Sequence, residues 1–256
     1  MKSGLDKLND RVALITGGSR GLGLAMAEAF ADEGATVVLA SRKLEACEAA
    51  AARINERVGN PTAALPFEVN VADWSSCRRL LERVEERVEH IDILVNNAGM
   101  SPAYPSVGDV TEHLFDKVVA VNLKGPFMLT AAVGTRMAAS GRSGSIINVS
   151  SVEAVDPQPN ALPYAAAKAG LETLTMGFAR TFGPTVRVNA IRCGMFRTDI
   201  AAAWGPAERV DAYAAQTTAL RRVAAPDEIV GTALFLATTD SSYCTGSVIT
   251  LDGGRR

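Results

Sequence analysis

The sequence predicts an α/β fold in which one doubly wound, seven-stranded and mainly parallel sheet carries helices on both faces. Three observations predict it. Short, almost continuously apolar runs alternate with longer stretches of helical period, the pattern of strands buried on both faces and joined by crossover helices. No linker, low-complexity tract or charge block divides the chain, and the strand rhythm continues almost to its last residue. At 256 residues, one large domain with a substantial core is expected rather than two small ones.

The strands are expected at 12–16 (VALIT), 36–40 (TVVLA), 63–69 (AALPFEV), 91–96 (IDILVN), 145–150 (SIINVS), 186–191 (VRVNAI) and 247–251 (SVITL). Helical stretches fill the gaps at 23–35, 44–58, 75–90, 112–140, 164–182 and 226–238, several opening on proline or polar residues. The right-handed crossover rule then gives a Rossmann-like sheet, one domain over 1–256. The segment 194–225 has helical pieces and no strand, so it reads as an excursion above the sheet where a substrate pocket or lid would sit.

Composition narrows the partners. A net charge of −2 gives no electrostatic reason to expect nucleic acid or an anionic membrane, and a small molecule is the expected partner. The first residues lack an apolar run of signal-peptide length and nothing approaches 18 consecutive apolar residues, so a cytoplasmic-type soluble protein is expected. Cys47, Cys77, Cys193 and Cys244 are dispersed without a CxxC pair, and His90 and His113 are the two histidines. No metal site is expected, the thiols should be reduced, and both histidines suit surface or helix-end positions.

Two local patterns carry chemistry. TGGSRGLG, from Thr16 to Gly23, lies between the first strand and the first helix, where Gly17, Gly21 and Gly23 permit a tight turn against free helix N–H groups. With Ser19, Arg20 and Leu22 it suits a dinucleotide phosphate, although its GxxxGxG spacing departs from GxGxxG and a glycine cluster alone also makes a plain turn. At the end of the second strand, where an acidic residue would take a ribose 2′-hydroxyl, stand Ser41 and Arg42. Arg42 with Arg20 suits a 2′-phosphate, favouring NADP(H) over NAD(H), unless both arginines are simply solvated. The second pattern is YAAAK, which places Tyr164 and Lys168 on one helix face. Alone it fits either an acid/base pair or an ordinary helix.

Along nearly its whole length the chain resembles the classical short-chain dehydrogenase/reductase family, of the 3-oxoacyl-carrier-protein reductase-like kind. The matching motifs are TGxxxGxG (16–23), NNAG (96–99), VNLKG (121–125), INVSS (147–151), YAAAK (164–168) and TGSVITLDGG (245–254). The resemblance implies a catalytic tetrad of Asn122, Ser151, Tyr164 and Lys168, with Ser151 rather than Ser150 because it lies thirteen residues before the tyrosine. Lys168 and the oxidised nicotinamide would lower the Tyr164 pKa, Ser151 would hold the substrate oxygen, and Asn122 would hold a water linking Lys168 to solvent. The resemblance also places Asn97, Ala98 and Gly99 along the cofactor, Asn70 and Val71 beside the adenine, and Thr198 at the carboxamide. Two departures stand out: Asn70 replaces the usual Asp, and Cys193 replaces the usual Pro, which frees a backbone N–H and loosens the nicotinamide-side loop.

Substrate groups are expected from 100–107, from 152–163 and from Met195, Trp204 and Tyr213, which together look apolar with few fixed charges. A neutral or mostly apolar ketone or secondary alcohol follows, of 3-oxoacyl, steroid or polyol type; Arg221 and Arg222 are weak candidates for a carrier-protein entry patch. Family members are commonly tetramers, so a homo-oligomer, tetramer or dimer, is implied by the resemblance through 111–139, 164–182 and the last strand. The competing class is a non-catalytic NADP(H)-binding sensor that regulates a protein partner, a role with no use for Tyr164 and Lys168 together.

Overall fold

The structure, a computed structural model, describes residues 7–198 and 205–255. Seven strands form its sheet: β1 (Val12–Thr16), β2 (Thr36–Ser41), β3 (Ala64–Glu68), β4 (Ile93–Asn96), β5 (Gly144–Ser151), β6 (Val186–Cys193) and β7 (Val248–Leu251). Each expected run is found, within three residues at either end. The strands pair in the order β3-β2-β1-β4-β5-β6-β7. Every pairing is parallel, so the sheet is wholly rather than mainly parallel.

Alternation along the strands sorts the core into two layers. Ala13 and Ile15 of β1 face one way, against Met26 and Phe30 of α1 (Gly21–Asp32), Cys47 and Ile54 of α2 (Leu44–Val58) and Leu236 of α8 (Val230–Ala237). Val12 and Leu14 face the other way, against Leu80 and Leu81 of α3 (Trp74–Glu85), Leu129 and Val133 of α5 (Gly125–Ser140) and Phe182 of α6 (Leu162–Phe182). With helices on both faces every residue of β5 is buried, which is why its sequence shows no polar alternation. Strand order reverses between β1 and β4, and the crevice beyond their carboxyl ends is where such sheets bind ligands.

The 112–140 stretch is not one continuous α-helix. It runs as α4 (Glu112–Val119), a π-helical turn (Ala120–Lys124) and α5, and Asn122 lies inside that turn. By length and composition an 18-residue window of this stretch is apolar enough to cross a membrane, but half of it is buried within the fold. Beyond β6, Phe196 bridges Ala224 and α7 (Ala207–Thr217) covers Met195 with Val210 and Ala214. Trp204 and the rest of 199–204 lie outside the described residues.

At the opposite, amino end of the sheet Asp92 is buried and charged on all sides. Its carboxylate accepts the Val12 N–H at 2.9 Å and meets Arg11 at 3.1 Å, Arg142 at 3.3 Å and His90 Nε2 at 3.2 Å. His90 is half-buried against this carboxylate rather than freely exposed.

Candidate active site

The glycine turn between β1 and α1 is shaped for close approach of a phosphate. Gly17 sits at φ +66, a region a side chain disfavours, and a Cβ on Gly23 would stand 2.3 Å from the Gly17 carbonyl oxygen. No side chain caps the first N–H groups of α1, and its first turn holds no acidic residue, so the helix start is open to an anion. The turn is tied to the end of β4 by Thr16, whose hydroxyl donates to Val95 O at 3.2 Å and accepts from Asn97 N at 3.0 Å and Ala98 N at 3.1 Å. Asn97 Nδ2 in turn donates to Thr16 O at 2.9 Å and Gly17 O at 3.3 Å, so this side chain holds the cradle's shape. Thr198 lies over the cradle, its Cγ2 3.5 Å from where a Gly21 Cβ would stand. These residues fit a dinucleotide.

At the tip of β2 the Ser19 hydroxyl donates to Ser41 Oγ at 3.2 Å, joining the glycine turn to the second strand. Arg20 and Arg42 are both exposed beside it, and Arg42 makes no hydrogen bond or ion pair to another described residue. At the end of β3, Asn70 is exposed with Oδ1 accepting from Ala72 N at 3.2 Å, while Val71 is buried.

The four residues of the expected tetrad come together at the carboxyl ends of β4 and β5. Lys168 is 3% exposed; its Nζ donates to Val149 O at 2.7 Å and lies 5.6 Å from the Tyr164 ring centroid. The Ser151 hydroxyl, at the carboxyl end of β5, accepts the Glu153 N–H at 3.2 Å, which leaves its own proton to be given away. Asn122, fully buried, donates from Nδ2 to Met100 O at 2.8 Å and Val118 O at 2.9 Å and accepts from Met100 N at 3.2 Å. Its side chain thus stitches the π turn to the loop after Gly99. A Cβ on Gly99 would lie 3.0 Å from Asn122 Oδ1 and 3.8 Å from Lys168 Nζ, so this glycine keeps the space between them open.

The protein's own groups shift both members of the Tyr164–Lys168 pair. Burial pushes the Tyr164 phenol above its ordinary value, the Ser151 contact pulls it down, and Cys193 and Glu153 push it further up. Burial lowers the Lys168 ammonium from 10.5 to about 8, with Cys193 opposing. The protein alone therefore holds the phenol protonated, chiefly through burial. Burial pushes the Cys193 thiol up to about 12, with Lys168 opposing; this thiol sits opposite Ser151 in the strand register and behaves as a filler, not a nucleophile.

Three features were absent from the sequence reading. Adjacent to Ser151, the Ser150 hydroxyl donates to Glu172 Oε1 at 2.8 Å, and Arg192 grips that carboxylate through Nε at 2.9 Å and Nη2 at 2.6 Å. Below the site, Asn96 Nδ2 donates to Asn148 Oδ1 and Thr130 Oγ1, each at 2.9 Å, and Asn148 Nδ2 donates to Thr175 Oγ1 at 2.9 Å. Polar letters inside otherwise aliphatic strand runs were the available signal for both. Thirdly, the wall after Ser151 is not free of charge, since Glu153, Asp156 and Arg255 gather there. Of the other expected pocket residues, Met195 packs on α7 and Tyr213 is 45% exposed.

Comparison with known proteins gives a consistent result. A family model described as enoyl-(acyl carrier protein) reductase matches residues 17–256. The chain is 37% identical over 253 residues to a 3-oxoacyl-(acyl-carrier-protein) reductase of Thermotoga maritima, covering 97% of this chain and 98% of that one. It is 35% identical over 259 residues to galactitol 2-dehydrogenase of Agrobacterium fabrum, covering 97% and 98%. Among solved structures, a 3-oxoacyl (acyl-carrier-protein) reductase from Agrobacterium tumefaciens with NADP bound superposes with a TM-score of 0.89 at 32% identity, covering 98% of this chain and 96% of the other.

Proposed function

The chain belongs to the short-chain dehydrogenase/reductase family, and from that premise we propose that it interconverts a ketone and a secondary alcohol with NADP(H), using Asn122, Ser151, Tyr164 and Lys168. It is a nicotinamide-dependent oxidoreductase acting on CH–OH and C=O groups, as its relatives are. The single observation that carries the tetrad assignment is the Lys168 ammonium, 5.6 Å from the Tyr164 ring centroid and tied to Val149 O, two residues before Ser151 on β5.

When bound, the reduced cofactor supplies a hydride to the carbonyl carbon. The chain's own groups do the rest. Ser151, with its oxygen already accepting from Glu153 N, donates its proton to the carbonyl oxygen and fixes its position. Tyr164 delivers a proton to the alkoxide as it develops, and burial keeps the phenol loaded at neutral pH. Lys168 stabilises the phenolate left behind, and Asn122 holds the π turn that shapes its surroundings and is the group assigned to hold a water leading from Lys168 to solvent. In the reverse direction the phenolate takes the alcohol proton.

For the cofactor, Gly17, Ser19, Arg20, Gly21, Leu22 and Gly23 take the diphosphate, and Ser41 and Arg42 take the 2′-phosphate. Asn70 and Val71 flank the adenine, Asn97, Ala98 and Gly99 line the ribose side, and Thr198 meets the carboxamide. The exposed, unengaged Arg42 supports NADP(H) over NAD(H), as does the NADP in the Agrobacterium reductase structure. The substrate is a small ketone or secondary alcohol without a permanent charge, of the 3-oxoacyl, steroid or polyol classes. One domain spans 1–256, with 194–225 as its substrate-binding part, and the protein works in the cytoplasm as a homo-oligomer, a tetramer or dimer. Exposed Trp74, Phe115, Phe127 and Met176 support that assembly. The test is Tyr164→Phe, which should abolish turnover of any ketone that wild type reduces while NADPH still binds. Unchanged turnover would reject the tetrad.

A further inference from the structure

The loop after Ser151 carries a carboxylate with an open face. Glu153 stands two residues beyond Ser151; its Oε2 accepts the Gln158 N–H at 2.7 Å, and no donor among the described residues reaches Oε1. The contact with Gln158 folds the loop back, and the Glu153 N–H donates to Ser151 Oγ at 3.2 Å, so the residue is held at the reacting serine. Arg255 reaches the same loop: its side chain is only 13% exposed and its Nη2 lies 2.8 Å from Asp156 Oδ2. Arg255 also acts electrostatically on Glu153.

Arg255 is delivered there by the fold. Gly253 and Gly254 adopt φ of +67 and +70, their carbonyls accept from Leu220 N at 3.0 Å and Ala219 N at 2.9 Å, and Arg255 bridges Thr218 in antiparallel register. Residues 253–255 therefore tie the segment after α7 to the loop after Ser151.

We propose that Glu153 and Arg255 form a polar wall of the substrate pocket that selects a polyhydroxylated substrate, with a hydroxyl on a carbon beside the reacting one, over an unsubstituted alkyl or acyl ketone. The assignment rests on the reading of Ser151, Tyr164 and Lys168 as the reacting centre. An ionised carboxylate is acceptor-only and a guanidinium donor-only. The substrate group that satisfies both is a hydroxyl, which donates to Glu153 Oε1 and accepts from the guanidinium. An alkyl chain laid against this wall strips water from both charges and returns nothing, which penalises its binding. A substrate carboxylate at the same place faces Glu153 and Asp156 against one arginine and is repelled.

The experiment measures kcat/KM for a panel of pentitols and hexitols against chain-matched secondary alkanols, for wild type, Glu153→Gln, Glu153→Leu and Arg255→Ala. Binding of the same compounds to the protein saturated with oxidised NADP is measured calorimetrically. The polyol-to-alkanol ratio of kcat/KM should exceed one in wild type and fall by about tenfold or more in Glu153→Leu, mostly through KM, with Glu153→Gln between them. A ratio that does not change in Glu153→Leu, or a wild type that turns over alkanols and neither binds nor oxidises polyols, overturns the wall while leaving the oxidoreductase reading intact. Polyol binding that depends on Glu153 without turnover of any compound supports the wall and rejects the assignment of the reacting centre. Neither binding nor turnover of polyols rejects the wall as well.

Discussion

Replacing Lys168 by Met should stabilise the unliganded protein while removing its activity. Met has a similar length and no charge, so the substitution removes the burden of holding an ammonium in a site only 3% exposed. The fall from 10.5 to about 8 corresponds to about 3 kcal/mol against the protonated amine at neutral pH, at about 1.4 kcal/mol per pH unit. Against this stands Val149 O, which loses its 2.7 Å hydrogen bond and, unpaired in the interior, costs about 1 to 2 kcal/mol. The difference is a net stabilisation of about 1 to 2 kcal/mol, or a rise in Tm of several degrees, at about 2 to 4 °C per kcal/mol for a domain of this size. The pH dependence gives the reasoning its sharper edge. Here the folded pKa lies below the unfolded one, so between about 8 and 10.5 the unfolded chain binds more protons and wild-type stability gains from this group as pH rises. The advantage of Lys168→Met is therefore full below pH 8 and shrinks through that window. Urea unfolding of both proteins at several pH values from 7 to 10, with ketone reduction assayed in parallel, measures it. A variant less stable than wild type at pH 7, or a stability difference independent of pH, would refute the account of Lys168 as a strained cation.

Other predictions address the rest of the site. Arg42→Ala should weaken NADPH about tenfold and NADH less than about twofold, an effect that fades with added salt as expected for an exposed charge; equal loss for the two cofactors rejects the NADP(H) assignment. Glu172→Gln should cost about 2 to 3 kcal/mol in urea unfolding, short of the full penalty for a dry pair because the Arg192 side chain keeps 21% exposure. A cost under about 1 kcal/mol would show that the pair adds little. Cys77 and Cys193, pushed by burial to about 11 and about 12, should resist a thiol reagent at pH 8 in the native protein and react on unfolding. Labelling of native Cys193 at the rate of a free thiol contradicts its burial.

Much of this was legible because buried parallel strands leave a blunt signal. VALIT, ILVN and VITL admit no other element of their length, and glycine turns follow at places where a side chain would collide. The π turn at 120–124 was illegible for the opposite reason: one extra residue in a helical turn changes no letter and barely shifts the apolar period over 29 residues. Asp92 was missed because its two arginine partners stand just before β1 and just before β5, at positions 11 and 142, which no local window joins to it. The same holds for Glu153 and Arg255, about a hundred residues apart in the chain. Reading 152–163 as nearly uncharged gave weight to composition and none to position, although one carboxylate two residues from a reacting serine outweighs several distant apolar side chains.

The two adjacent serines of β5 show how position rather than residue type assigns chemistry. Neighbouring residues on a strand point different ways. Ser150 turns its hydroxyl to Glu172, where Arg192 completes a closed and saturated cluster with no proton left for a substrate. Ser151 instead receives one backbone N–H and stands near the Tyr164 phenol, so its hydrogen-bonding capacity remains partly unspent. The contrast links stability to function in one dipeptide. The cluster at Ser150 anchors α6 to β5 and β6, and α6 carries both Tyr164 and Lys168, so a satisfied polar group on one side holds a strained pair in place on the other. A lysine disfavoured by burial and a phenol kept protonated by it persist at this point because β5, buried along its whole length, and the Ser150–Glu172–Arg192 cluster hold α6 in place.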